Sequence, residues 1–179
     1  MRRPGRFVAP IGLFALVLTL GAWAGPRPLT DPAALAALLR RDTVLHPLAG
    51  HARCVSGVVR HFDLYPTQLY LAVLRTEGGR PGQARRNGNG TWDYGPAQIN
   101  SSWIPRLRRR GLPASATTLR HNTCFNLYVS GWILRRELDA APDLWTGLLR
   151  YHSRTPVYQH RYLQRILDNW AALSRLRRR

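Results

Sequence analysis

The stretch LAVLRTEGG, residues 71–79, places a glutamate at the end of an apolar run and directly before two glycines. The chain has 27 basic residues but only two glutamates, and the second one, Glu137, lies in an ordinary charged patch. Leu69, Val73 and Glu77 are four residues apart, so they share one stripe of a helix. The spacing therefore predicts a helix that carries Glu77 on its core-facing side.

A carboxyl group in that position has an unusual chemistry. Desolvation raises its pKa, and the negative C-terminal end of the helix dipole acts in the same direction. A glutamate that stays protonated near neutral pH can act as a general acid. Gly78 and Gly79 can end the helix and let a bulky ligand approach. The alternative is a structural glutamate paired with Arg75 or Arg80, and this stretch taken alone favours it.

Helical spacing of apolar residues recurs on both sides of this stretch and predicts a mainly α fold. Three residues are placed to start helices. Asp31 precedes the first helical pattern, the hydroxyl of Thr67 can cap the third, and Asp143 can cap a later one. Between residues 80 and 95 the periodicity stops and Asn-Gly occurs twice, as is typical of a hairpin. We expect one compact, mainly α (α+β) domain with a small β-hairpin. The helical patterns cover residues 33–47, 54–66, 67–77, 103–111, 124–141, 143–153 and 158–170.

The first 24 residues have the features of a secretory signal peptide. Arginines precede an apolar segment over residues 8–20, and a small-x-small sequence over residues 22–24 is followed by Gly-Pro, which breaks a continuing helix. An uncleaved anchor helix is the alternative, since the apolar segment is nearly long enough to span a bilayer. We favour cleavage and expect a periplasmic protein with no stable membrane anchor. The expected parts are a signal peptide over 1–24, a linker and short helix over 25–50, the main domain over 51–172 and a basic tail over 173–179.

The charge balance predicts an anionic partner outside the cytoplasm. The net charge is +18, and loss of the three arginines in residues 1–24, which contain no acid, lowers it to +15. Such a charge implies nucleic acid, anionic lipid or an acidic wall polymer as a neighbour. Export disfavours nucleic acid. The arginines among residues 106–110 also lack the interleaved aromatic residues of nucleic-acid platforms, so we predict no nucleic-acid partner.

The two cysteines, Cys54 and Cys124, allow two interpretations. In an oxidising compartment, two cysteines in a small domain most simply form one disulfide. The spacing His51-x-x-Cys54 and His121-x-x-Cys124 also suits a zinc site with two histidines and two cysteines. The disulfide is the favoured interpretation.

Four motifs in order resemble one known family. E-G-G is followed by N-x-N-G-T-x-D-Y-G-P-x-Q-I-N-S-S-W, then by C-x-N-x-x-x-x-x-W-I-L, then by Y-H-S-x-T-P. This order is similar to soluble lytic transglycosylase (SLT) domains, and most of all to the VirB1-like branch of type IV secretion and conjugation systems. The resemblance covers about residues 54–170. It implies a lysozyme-like fold in which helices and a small β-hairpin surround a glycan cleft.

The resemblance also implies an activity and its residues. The expected reaction cleaves the MurNAc-β-1,4-GlcNAc bond of peptidoglycan and forms 1,6-anhydroMurNAc, with Glu77 as the single catalytic acid/base. Gln98 and Ile99 match the family's glycan contacts, and Tyr151 matches a tyrosine that hydrogen-bonds near the catalytic glutamate. The full expected substrate-binding set is Gly78, Gln98, Ile99, Tyr151 and His152.

Further expectations follow from the same resemblance. Cys54 and Cys124 match a cysteine pair typical of this branch, which supports a disulfide over zinc. No cofactor and no metal are implied. The expected partners are peptidoglycan glycan strands and components of an envelope-spanning secretion, conjugation or pilus apparatus, which the enzyme would serve as a monomer by opening the cell wall locally.

The chain departs from the family pattern at several positions, and alternatives stay open there. Gly78 stands where many members have serine, and Pro96-Ala97 where many have Leu-Met. His152 stands where asparagine is common, so it either orients the substrate or only packs. Asp93 would permit a lysozyme-type hydrolysis if it faced the cleft, because ordinary glycosidases use two carboxylates. We favour a structural role for Asp93 in its turn-rich segment. A non-catalytic glycan-binding scaffold is a further alternative.

Overall fold

The computed structural model describes residues 29–178, so the predicted signal peptide over residues 1–24 lies outside the described part. This part is mainly helical, with one small antiparallel sheet, and the predicted fold class is confirmed. A 3-10 helix (His46–His51) follows the first α-helix, and a second (Ser101–Trp103) precedes the fourth. The α-helices are α1 (Pro32–Arg41), α2 (Ala52–His61), α3 (Thr67–Glu77), α4 (Ile104–Arg108), α5 (Ala116–His121), α6 (Thr123–Asp139), α7 (Leu144–His152) and α8 (Pro156–Arg178).

The predicted hairpin forms between α3 and α4. Strand β1 (Ala84–Arg86) pairs antiparallel with β2 (Trp92–Tyr94) across the Asn-Gly turns. A third short strand, β3 (Ile99–Asn100), pairs with the other edge of β2, so the hairpin becomes a three-stranded sheet in the order β1-β2-β3. The sequence suggested only two of these strands because β3 is two residues long.

The predicted helix starts are partly confirmed. The side chain of Asp31 accepts a hydrogen bond from the backbone of Ala34, and Asp143 accepts one from Thr146, as N-caps do. The prediction for Thr67 is wrong, because α3 begins at Thr67 itself and Pro66 precedes it without a side-chain cap. A residue inside the first turn has helical backbone angles, so its hydroxyl no longer faces the free N–H groups ahead of it.

Helix α3 lies at the centre of the fold. Nine of its eleven residues are buried, and it packs against α8. A polar network joins the two helices: Arg75 donates to Asp42 and to Asn169, and Asn169 donates to the hydroxyl of Thr76. Asp42 directly follows α1 and its side chain is buried, so this network ties the end of α1 to α3 and α8. The carboxyl end of α3 is therefore held firmly on several sides.

Cys54 and Cys124 form the predicted disulfide, which joins α2 to the start of α6 over a separation of 70 residues. The zinc interpretation is therefore wrong, because both sulfur atoms are bonded to each other. None of the helices in residues 29–178 is long and apolar enough to cross a bilayer. Helix α8 continues to Arg178, into the segment that was expected to be a basic tail, and Leu173 is buried against the core.

Candidate active site

A cleft of about 750 Å³ opens between the sheet and helices α3, α6 and α7. Four of the predicted site residues, in addition to Glu77, line it: Gln98, Ile99, Tyr151 and His152. The cleft is also rich in charge, with three acids against five arginines. The charged lining residues are Glu77, Asp93, Glu137, Arg85, Arg106, Arg136, Arg150 and Arg154.

Glu77 is the last residue of α3, and the glycines after it shape the backbone. Gly78 ends the helix with a left-handed φ of 64°. Gly78 does not line the cleft, so the structure does not bring it to the predicted substrate contacts. Gly79 lies where a Cβ atom would come within 2.2 Å of the carbonyl oxygen of Gly95. The second glycine thus lets the turn before Gln98 approach α3, rather than leaving room for a ligand.

The carboxyl group of Glu77 is held by a residue that the sequence did not reveal. The hydroxyl of Tyr162 on α8 donates a hydrogen bond of 2.9 Å to Oε1 of Glu77. Tyr162 was predicted only as part of the apolar face of the terminal helix. A buried tyrosine needs a partner for its hydroxyl, and that requirement was the available signal.

The pKa of Glu77 is raised from 4.5 to about 7. Desolvation by the surrounding protein is the main cause. The hydrogen bond from Tyr162 and the positive charge of Arg165 favour the ionised form and oppose the shift, while the negative charge of Asp93 adds to it. Glu77 is therefore close to half protonated at neutral pH, as a group that both gives and takes a proton must be.

His152 stacks on the ring of Tyr162, with the two ring centres 4.3 Å apart and the planes within 6° of parallel. Partial burial and the charge of Arg165 lower the pKa of His152. A histidine with a lowered pKa is neutral at pH 7, so it can accept or donate a hydrogen bond at the cleft wall. The stacking also braces the tyrosine that contacts Glu77.

Tyr151 lines the cleft but does not bond to the glutamate. Its hydroxyl is buried and forms no hydrogen bond of good geometry among the described residues, although the hydroxyl of Ser130 is close enough to oppose the rise of its pKa. The nearby hydroxyl of Ser130 is engaged with Tyr70 and with the carbonyl of Leu127. Burial, with the charge of Glu77 adding to it, raises the pKa of Tyr151, so the hydroxyl keeps its proton. A buried hydroxyl without a partner is costly unless a ligand supplies one.

Gln98 ends the turn that joins β2 to β3, and Ile99 is the first residue of β3. Gln98 has a positive φ of 47°, and its amide donates to the carbonyl of Gly95 at 2.8 Å. The side chain of Asn126 on α6 holds this turn, accepting from the backbone of Ala97 and donating to the carbonyl of Tyr94. Because that asparagine is fully buried, the turn is fixed against the helix core.

Asp93 faces the cleft but is already engaged. One of its oxygens accepts a hydrogen bond of 2.8 Å from Asn100, and the other lies 3.6 Å from a guanidinium nitrogen of Arg85. Its carboxylate thus fastens neighbouring strands of the sheet. These contacts agree with the structural role favoured from the sequence, although the side chain also adds a negative charge to the surroundings of Glu77.

Glu137 was assigned to an ordinary charged patch, and that assignment is wrong. The residue is buried on α6, lines the cleft, and forms an ion pair of 2.8 Å with Arg154. The signal was its position, three residues after Leu134 and one before Leu138, on the apolar side of the helix. The pair ties α6 to the segment that links α7 to α8, next to His152.

Comparison with known proteins gives distant similarities. No protein-family model matches the chain. The chain is 25% identical over 129 residues to "Invasion protein IagB" of Salmonella typhi, which covers 70% of this chain and 79% of that protein. The IagB of Salmonella typhimurium strain LT2 gives 25% over 127 residues, 69% and 78% of the two chains. A "Peptidoglycan-binding-like protein" of Escherichia coli O157:H7 is 30% identical over 69 residues, 38% of this chain and 41% of that one.

Proposed function

We propose that this protein is a lytic transglycosylase that cleaves the MurNAc-β-1,4-GlcNAc bond of peptidoglycan and leaves a 1,6-anhydroMurNAc end. The observation that carries the proposal is the carboxyl group of Glu77, which lies in a cleft of about 750 Å³ and has a pKa of about 7. The similarity to a protein named as peptidoglycan-binding-like supports this choice of substrate. The order of the four motifs supports placing the protein in the VirB1-like branch of the transglycosylases.

The first chemical step is protonation of the leaving group. Tyr162 occupies one carboxyl oxygen of Glu77, so the other oxygen is the one that carries the transferable proton. It gives this proton to the glycosidic oxygen as the bond to C1 breaks and positive charge develops on the sugar ring. Glu77 is then a carboxylate, stabilised by the hydrogen bond from Tyr162 and by the charge of Arg165.

The second step uses the same carboxylate as a base. It takes the proton from the 6-hydroxyl of the muramoyl residue while that oxygen closes on C1. The substrate supplies its own nucleophile, so one carboxyl group is sufficient and is restored to its protonated form. Tyr151, with its free hydroxyl, and Gln98, at the fixed turn, are the proposed hydrogen-bonding partners of the glycan.

A lysozyme-type hydrolase is the second candidate, because Asp93 lines the same cleft. A retaining or inverting glycosidase needs this second carboxylate as a nucleophile or as a base for water. The engagement of Asp93 by Asn100 and Arg85 favours the one-carboxylate mechanism instead. Glu137 is likewise engaged by Arg154.

The proposed setting is the periplasm, where the enzyme would open the wall locally for a secretion, conjugation or pilus apparatus. The predicted signal peptide and the disulfide, which is typical of oxidising compartments, support this setting.

The proposal is tested by release of soluble muropeptides from purified peptidoglycan by two isosteric variants. Glu77→Gln is expected to abolish release, because the amide has no proton to give to the glycosidic oxygen. Asp93→Asn is expected to retain most of it, because the amide oxygen still accepts the hydrogen bond from Asn100. Full activity in Glu77→Gln would overturn the catalytic assignment, and loss of activity in Asp93→Asn as well as in Glu77→Gln would favour the hydrolase.

A further inference from the structure

Arginine and tryptophan side chains alternate along one end of the cleft. The guanidinium of Arg106 lies 5.1 Å from the ring centre of Trp103, and that of Arg136 lies 5.6 Å from the same ring. Arg136 also lies 5.9 Å from the ring of Trp132, and Arg110 lies 5.0 Å from it. We call this row, Arg106, Trp103, Arg136, Trp132 and Arg110, the Arg–Trp ladder.

The ladder corrects one expectation from the sequence. The arginines among residues 106–110 were predicted to lack interleaved aromatic residues. The interleaving rings of Trp103 and Trp132 come from different segments, the 3-10 helix before α4 and the middle of α6. The two rings meet edge to face with their centres 5.9 Å apart, and this contact joins the two segments into one surface.

The three arginines of the ladder are exposed, and none of them forms an ion pair with a carboxylate of residues 29–178. The acids nearest in sequence on α6 are engaged elsewhere, Glu137 with Arg154 and Asp139 with Arg135. A guanidinium that stacks on an indole keeps its in-plane N–H groups free. The ladder therefore presents the forked N–H donors that carboxylates accept in bidentate pairs.

The ladder extends the cleft beyond the residues around Glu77. Trp103, Arg106 and Arg136 line the cleft itself. Arg136 also lines a second, more open concavity, together with Trp132 and Arg110. A polymer that lies in the cleft can therefore continue over the ladder without leaving the protein surface.

From this continuity we infer that the Arg–Trp ladder binds the carboxylate groups of the stem peptides carried by the glycan strand. The inference rests on the proposed function: the glycan of peptidoglycan occupies the cleft, and the stem peptides of the same polymer occupy the Arg–Trp ladder. The uncharged sugar backbone passes the carboxyl groups in the cleft, and the acidic peptides that branch from it reach the arginines. The preferred substrate is then a strand that still carries its peptides.

The test measures the affinity of catalytically disabled protein for labelled glycan strands of two kinds. One kind keeps its stem peptides. The other is the same preparation after an amidase has removed the peptides and the lactyl carboxyl groups that this cleavage leaves on the glycan have been converted to amides. Three proteins are compared: Glu77→Gln alone, Glu77→Gln with Arg110→Gln, and Glu77→Gln with Arg60→Gln. Arg110 lines only the second concavity, so its substitution leaves the cleft itself unchanged. The last protein is the matched control, because Arg60 is exposed on α2, outside both concavities, and its loss removes the same charge.

The ladder variant is expected to bind peptide-bearing strands about tenfold or more weakly than Glu77→Gln alone, since charge-assisted hydrogen bonds are lost. Its affinity for stripped strands is expected to stay the same, which also reports an intact cleft. Equal weakening in the control variant, or equal affinity of Glu77→Gln for both kinds of strand, would overturn the inference and leave the proposed function standing. Failure to bind either strand would overturn both. Preferential binding of single-stranded DNA would assign the ladder to nucleic acid instead.

Discussion

The hydroxyl of Tyr162 donates a hydrogen bond of 2.9 Å to Oε1 of Glu77, which lies 85 residues earlier in the chain. This bond connects the proposed catalytic acid on α3 with the residue on α8 that orients it. It also leaves only one carboxyl oxygen free to face a substrate. The stacking of His152 on the same tyrosine holds the partner in place.

Tyr162→Phe removes this donor without changing the ring. The bond favours the ionised form of Glu77, so its loss is expected to raise the pKa of Glu77 above 7, by roughly one unit. The limb of the pH–kcat/KM profile that falls as Glu77 loses its proton should move upward by the same amount. Tyr158→Phe, an exposed tyrosine on the same helix, serves as the control and should leave the limb in place. An unmoved limb in Tyr162→Phe would contradict the account.

Glu77→Gln should make the protein more stable above pH 7. The folded pKa of about 7 exceeds the ordinary value of 4.5, so at higher pH the folded state must ionise a group that burial disfavours. Below pH 4.5 the carboxyl group is protonated in both states and the variant gains nothing. The gain should grow between pH 4.5 and 7 and then level off, on the order of 3 kcal/mol at most. Denaturant unfolding at several pH values measures it, and a variant less stable than the wild type at pH 8 would refute the raised pKa.

Tyr151→Phe separates binding from folding. The buried hydroxyl has no hydrogen-bond partner of good geometry within residues 29–178, so its removal should leave the free energy of unfolding unchanged or raise it by about 1 kcal/mol. If the hydroxyl binds the glycan, kcat/KM should fall about tenfold, as expected for one lost hydrogen bond. Thermal melts and muropeptide release measure the two effects. Unchanged kcat/KM would remove Tyr151 from the proposed site.

Gly79→Ala tests the close approach of the turn before Gln98 to helix α3. The added methyl would meet the backbone oxygens of Gly95 at 2.2 Å and Pro96 at 2.8 Å, and backbone cannot move aside easily. We expect a loss of about 1–3 kcal/mol in stability and a larger loss of activity, because the turn positions Gln98. Gly57→Ala is the control: its methyl meets nothing within 4 Å inside α2, so it should stabilise by about 0.5–1 kcal/mol. Equal stability of the two variants would contradict this account of the turn.

Local patterns predicted much of the fold and the desolvated position of Glu77. Helical spacing and cap residues such as Asp143 were sufficient to place most helices, because apolar periodicity and N-caps act within a few residues. The same spacing placed Glu77 on the buried stripe and predicted the direction of its pKa shift. Thr67 was misjudged by one position, since a hydroxyl caps a helix only from outside its first turn.

The contacts between distant segments could not be predicted in the same way. Tyr162 has the pattern of an apolar helix residue, and only the packing of α8 on α3 brings its hydroxyl to Glu77. The Arg–Trp ladder depends on Trp103 meeting Trp132, two residues that no local pattern connects. Glu137 was the avoidable error, because its place between Leu134 and Leu138 already indicated the buried side of α6.

The measurement that tests the central claim most directly is the mass of the muropeptides that the wild-type protein releases from purified peptidoglycan. One carboxyl group that serves as acid and then as base closes the muramoyl 6-hydroxyl on C1, so no water enters the product. The account predicts anhydro ends, each lighter by one water than a reducing end, and their absence in Glu77→Gln. Products with reducing ends alone would contradict it and would identify the protein as a hydrolase.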